Sequence, residues 1–209
     1  MHSAALALTH HYFDDEPTMP EARPWHRLGL AIVDDEPTVM RAPRPYRPHV
    51  AEPIESLSLP AGLREEMLPL GATPRTPQQA RVWLVRLARD LARDYRLWYG
   101  FELRTDAIAV EKMQWHLATA VVAIGRRDEK ALARELVRHG LVLGEIFTRA
   151  LGASWVDLSG DRPGQWELFV PPAATVSPVL RVQRFVEQGM NETDLVALYL
   201  DLDAAQRRG

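Results

Sequence analysis

The residues best spaced for chemistry lie near the start of the chain. In LGLAIVDDEPTVMR (28–41) an apolar run enters Asp34, Asp35, Glu36 and Pro37. Paired carboxylates following an apolar strand are one way to hold Mg²⁺ and to accept a phosphoryl group on an aspartate. Twenty residues earlier, HHYFDDEPTMPEA carries Phe13, Asp14, Asp15, Glu16 and Pro17 in the same order. Both copies obey one pattern: an apolar residue, Asp-Asp-Glu-Pro-Thr, then a second apolar residue.

The surrounding sequence does not support phosphoryl chemistry. A bacterial receiver domain needs further strand–helix units, a phospho-accepting Asp and a sensing Lys. Here RAPRPYRPHVAEP (41–53) stands where its first helix should run, and the only lysines, Lys112 and Lys130, fall on predicted helices. A repeated acidic motif suits docking to another protein. Phe13 and Val33 are the apolar anchors, Asp14, Asp15, Glu16 and Asp34, Asp35, Glu36 meet a basic rim, and Pro17 and Pro37 fix the approach. Two copies on one tether raise avidity through effective concentration. Local duplication is the plainer alternative. No metal or cofactor is expected from two acidic triplets alone.

Other catalytic patterns are sparse. The chain has no cysteine, which excludes thiolate nucleophiles and Cys-ligated metals. It has no G-x-S-x-G turn and no phosphate-cradling glycine loop. His116, on an apolar helix, reads as a hydrogen-bonded core histidine. Glu135 and His139 are four apart and read as an exposed helix pair. HGLVLGE puts Gly140 and Gly144 one turn apart inside a helix, each costing about 1 kcal/mol relative to Ala. That cost implies close approach by the hairpin or the second helix. Glu145 follows, either solvated or partly buried with Arg181 or Arg184 as donor. SGDRPG exposes Asp161 and Arg162 to a partner. A small enzyme with a carboxylate-based site at Glu145, or at Asp161 and Arg162, is therefore one alternative. A second is a membrane- or nucleic-acid-surface binder through the arginine-rich helix 77–99, although its wide apolar face suits a core.

The elements that must position these residues divide the chain in two. Twelve of the 16 prolines lie within 1–77. Residues 1–76 are expected to be a mostly disordered, Pro-rich tail, interrupted by the apolar islands LGLAIV, IESLSL and LREEML. Residues 77–209 are expected to form one globular domain. Thr76 caps a helix begun by Pro77 and ended by Gly100. Its apolar face is Ala80, Leu84, Leu87, Leu91, Tyr95 and Trp98. Asp106 caps a second helix (107–124), apolar nearly all round, and Asp128 a third (129–151). ASWVDL and QWELFV alternate as a β-hairpin, with Trp155 facing outward beside Phe169 if Val156 and Leu158 face inward. A fourth helix runs from Pro178 to Gln188, and Asn191 caps a fifth to about Gln206. The fold class is helix-dominated α+β, in the order three helices, a hairpin, two helices.

Residues 137–200 resemble an uncharacterised bacterial domain family. The motifs are Gly144-Glu145 on a helix, Gly152 with Trp155 on a strand, and a helix begun at Pro178 and closed by Glu187-x-Gly189. The resemblance implies no catalytic residues. The 23 arginines against two lysines fit a GC-rich bacterial genome. A net charge of −3 gives no global pull toward nucleic acid. No span of about 18 apolar residues is present, so no membrane insertion is expected, and the cytoplasm is the expected location. Together these features point to a non-enzymatic interaction protein of adaptor, accessory or immunity type, with another protein as partner. The oligomeric state is not legible.

Overall fold

The computed structural model describes residues 50–125, 128–158, 166–189 and 193–208. Both acidic motifs (Phe13 to Met19 and Val33 to Val39), Asp161, Arg162 and Asn191 lie outside the described residues. Among the described residues there are six α-helices and a small sheet: α1 (Pro77–Tyr99), α2 (Ala107–His116), α3 (Val122–Gly125), α4 (Glu129–Ala150), α5 (Pro178–Gln188) and α6 (Leu195–Arg208). A π-helical turn, Leu117–Val121, joins α2 to α3. Strands β1 (Ser154–Asp157), β2 (Glu167–Val170) and β3 (Ala174–Val176) form an antiparallel sheet in that order. No helix among the described residues is long and apolar enough to cross a membrane.

The caps follow from the sequence. Thr76 Oγ1 accepts from the backbone N–H of Gln79, and Gly100 closes α1 at φ +63°. Asp106 and Asp128 cap α2 and α4 through their carboxylates. α6 starts later than expected. Asp194 accepts from Val196 and Ala197, and Gln114 Oε1 accepts from Leu195 at 2.7 Å.

α4 is the central element, packed on α1 and α5 and touching β2. Leu141, Val142, Leu143, Ile146 and Phe147 are fully buried. α2 is less central than expected: Ile108 and Trp115 point outward, on the same face as the exposed Glu111 and Lys112.

Two expectations about the sheet need correction. The chain turns after Val170 through a cis Pro171–Pro172 bond and adds a third strand, so the hairpin is part of a three-stranded sheet. Trp155 pairs with Leu168, and a register shift follows before Asp157, which pairs with Glu167. Trp155 therefore lies on the core side with Leu168, while Val156 and Phe169 are exposed. The expected assignment assumed unbroken alternation, which a bulge interrupts.

The domain boundary also moves. Residues 50–76 belong to the folded unit: Ile54, Leu57 and Leu68 are buried in the core. Prolines limit this segment to short 3₁₀ turns, Ile54–Ser56 and Glu65–Met67, but they do not bar it from burial. Its backbone groups find partners elsewhere. Ile54 N–H donates to Leu103 O at 2.9 Å and Thr105 N–H to Glu52 O at 3.0 Å. Arg86 Nη1 donates to Leu68 O at 2.6 Å, and Arg89 Nε to Leu57 O at 2.6 Å. Guanidinium groups thus replace the partners a sheet would supply.

Candidate functional site

The glycines of α4 decide what can reach it. A Cβ on Gly140 would stand 2.5 Å from Val179 Cα, in the backbone of α5. A Cβ on Gly144 would overlap the ring of Trp155. The expectation of close approach is met by the sheet at Gly144 and by α5, rather than α2, at Gly140. Trp155 lies edge-on to Trp166, with ring centroids 6.3 Å apart, and Trp166 is edge-on to Trp83 at 5.9 Å.

This indole layer sits beside Glu145, which is fully buried rather than solvated. Its donor is Arg81, not Arg181 or Arg184. Arg81 Nη1 donates to Oε1 at 2.5 Å and Nη2 to Oε2 at 3.3 Å. Trp155 Nε1 donates to Oε1 at 3.1 Å. Arg81 reaches Glu145 because α1 packs along α4. The three donors hold the carboxylate inside the protein, where no substrate reaches it without displacing Trp155 or Arg81. Glu145 works here as the lock between α1, α4 and the sheet.

A second polar cluster lies two turns earlier on α4. His139 is fully buried, so Glu135 and His139 are not the exposed pair expected. His139 Nδ1 is 2.8 Å from the backbone oxygen of Glu135, and Nε2 is 3.1 Å from the Tyr95 hydroxyl. The carbonyl can only accept, so Nδ1 carries the proton and Nε2 accepts from Tyr95. His116 stacks on His139, with centroids 5.5 Å apart and planes 15° apart. Tyr95 and Tyr99 contact the His116 ring at 5.2 and 4.8 Å. His116 is buried as expected, yet its Nδ1 has no hydrogen-bond partner. Arg138 bridges Glu135, at 2.8 Å, and Asp94 on α1.

Burial governs ionisation in this cluster. It lowers the pKa of His139 to about 3, against the pull of the Glu135 backbone oxygen. It lowers that of His116 too, with Glu135 opposing. Desolvation pushes both tyrosines up. At neutral pH the four rings are therefore uncharged. Tyr95 was legible as an apolar-face residue of α1. The histidine stack was not, because nothing in the local pattern aligns positions 116 and 139.

The outer surface offers a different kind of site. Leu97, Trp98 and Tyr99 at the end of α1, and Ile108 and Trp115 on α2, are exposed large apolar side chains. Trp98 is 77% and Trp115 63% exposed. Tyr99 joins the two helices by its contact with His116. The arginines of α1 are engaged within the fold. Arg81 holds Glu145, Arg86 and Arg89 hold the 50–76 segment, Arg93 pairs with Asp90 and Arg96 with Glu55. Among the described residues no three His, Asp or Glu side chains are close enough to share a metal ion.

No family model, curated protein or solved structure matches the chain. Several of the motif residues within 137–200 have structural tasks. Gly144 admits Trp155, Gly152 and Gly189 adopt positive φ at element ends, and Pro178 opens α5.

Proposed function

We propose that this chain is a non-enzymatic, cytoplasmic protein-interaction module of adaptor, accessory or immunity type. What supports the reading is the exposure of Trp98 and Trp115. Large aromatics facing water are enriched at binding hot spots, where they supply area and rigidity. The chemistry-capable side chains favour the same reading: Glu145 and His139 are occupied by partners within the fold. The engaged arginines of α1 reduce support for a membrane- or nucleic-acid-surface role. The repeated motif (Phe13, Asp14, Asp15, Glu16, Pro17 and Val33, Asp34, Asp35, Glu36, Pro37) is the bivalent docking arm of this proposal. The aromatic face is its second contact.

The test is affinity capture from native lysate with the full chain, a Trp98→Ala/Trp115→Ala variant, and a variant with both Asp-Asp-Glu triplets changed to Ala. One identified protein, retained by the wild type and depleted at least tenfold by either change, supports the reading. An identical set of proteins from all three overturns it.

A further inference from the structure

We propose that the junction of α1, α2 and α4 is an acid-sensitive latch that sets the position of the α2 surface. The partner-binding role of that surface rests on the reading given above. His116 is the residue after Trp115 and the last of α2, where the helix passes into the π turn Leu117–Val121. Its ring is clamped between Tyr99 and His139. The histidine stack therefore joins the end of α2 to α4, and Tyr95 joins both to α1.

The clamp needs neutral rings. The Tyr95 hydroxyl donates to the lone pair of His139 Nε2. A proton there removes the acceptor and forces the hydroxyl proton to turn away, among buried rings. A proton on each histidine would set two cations face to face at 5.5 Å. His116 adds an unpartnered Nδ1, a polar atom that only solvent or a rearrangement can satisfy. The charged groups around the pair do not offset this. From α4, Glu135 Oε2 lies 3.7 Å from His139 Nδ1 and favours a proton, but Arg138 neutralises that carboxylate at 2.8 Å. From α1, Asp94 is also held by Arg138, and Tyr95 and Tyr99 stay protonated. On α2, Lys112 precedes His116 by one turn and lies over the Phe101 ring. Toward α6, α2 presents the neutral Gln114 amide.

The sign follows from burial. Both histidines take protons less readily in the closed junction than in the open one, where they titrate near their ordinary value of about 6.5. The closed state is therefore favoured fully above that value. As pH falls below it, the closed-to-open ratio drops up to about tenfold per pH unit for each histidine. The π turn next to His116 interrupts the regular winding of the helix, and single π turns of this kind are frequent at functional sites.

The experiment is hydrogen exchange by mass spectrometry on the full chain from pH 7.5 to 4.5, corrected for intrinsic exchange. The expected result is loss of protection at 110–121 below about pH 6.5, before α5 and the core of α4 respond. His116→Phe keeps an aromatic ring in the stack and cannot titrate, so its loss of protection should move to lower pH. Tyr95→Phe removes the donor to His139 and should move the loss to higher pH, which provides a reading if the first variant folds poorly. Equal onset in wild type and both variants overturns the latch, as does simultaneous exposure of every helix. Capture of the partner is scored separately with Trp98→Ala/Trp115→Ala. Unchanged capture with a pH-dependent opening of α2 sinks the binding role and leaves the latch. Lost capture with no such opening does the reverse.

Discussion

Two polar clusters hang from one helix, two turns apart, and they are built on opposite principles. At Glu145 a buried charge is matched by a guanidinium and an indole N–H, and no oxygen is left without a donor. At His139 the four rings are neutral, and one ring nitrogen of the adjoining His116 has no partner. A fully paired buried charge fixes geometry, since any displacement strands an ion in a poor solvent. An under-paired neutral cluster tolerates displacement until a proton arrives. The same core thus contains a rigid joint, between α1, α4 and the sheet, and an adjustable one, between α1, α2 and α4.

The sharpest way to break that contrast is to remove the charge from the rigid joint. Glu145→Ala strands Arg81 and the Trp155 N–H, and should cost about 3–5 kcal/mol in denaturant unfolding. A loss under about 1 kcal/mol would show that Glu145 is not a lock. Gly140→Ala tests the helix contact that frames both clusters. The Cβ meets α5 backbone rather than a movable side chain, so a net loss of about 1–3 kcal/mol is expected despite the higher helix propensity of Ala. The adjustable joint is sharpened by pH. Because the folded-state pKa of His139 is depressed to about 3, its contribution is complete above about pH 6.5 and lost as pH falls toward 3. The slope should approach about 1.4 kcal/mol per pH unit, measured as unfolding free energy in wild type against His139→Phe. Smallest is Arg89→Ala, which leaves Leu57 O without its donor. It should cost about 1–2 kcal/mol and raise proteolysis within 54–68 before the helices are cut.

Much of this architecture was legible locally. Thr76, Asp106 and Asp128 announced helix starts, Gly100 and Gly189 announced ends, and Gly140 with Gly144 announced close approach. These signals depend on neighbours within four residues. The misreadings share the opposite property. The face that Trp155 takes, and the bulge that follows it, are set by pairing with β2. The donor for Glu145 stands 64 positions away. The histidine stack joins positions 116 and 139 across two helices. Residues 53–68 looked tail-like because proline content reports on regular structure, whereas their burial depends on arginines further along the chain.

That last dependence has a consequence in time. During synthesis the 50–76 segment is made before the long-range groups that satisfy it. Glu52 pairs with Thr105, and Ile54 with Leu103, only after some fifty more residues have been added. Until then Ile54, Leu57 and Leu68 belong to a nascent chain with no core to enter. Domains form as units once enough chain has emerged. The order of manufacture and the order of assembly must therefore differ, and the segment is fastened over α1 after the helix it crosses exists.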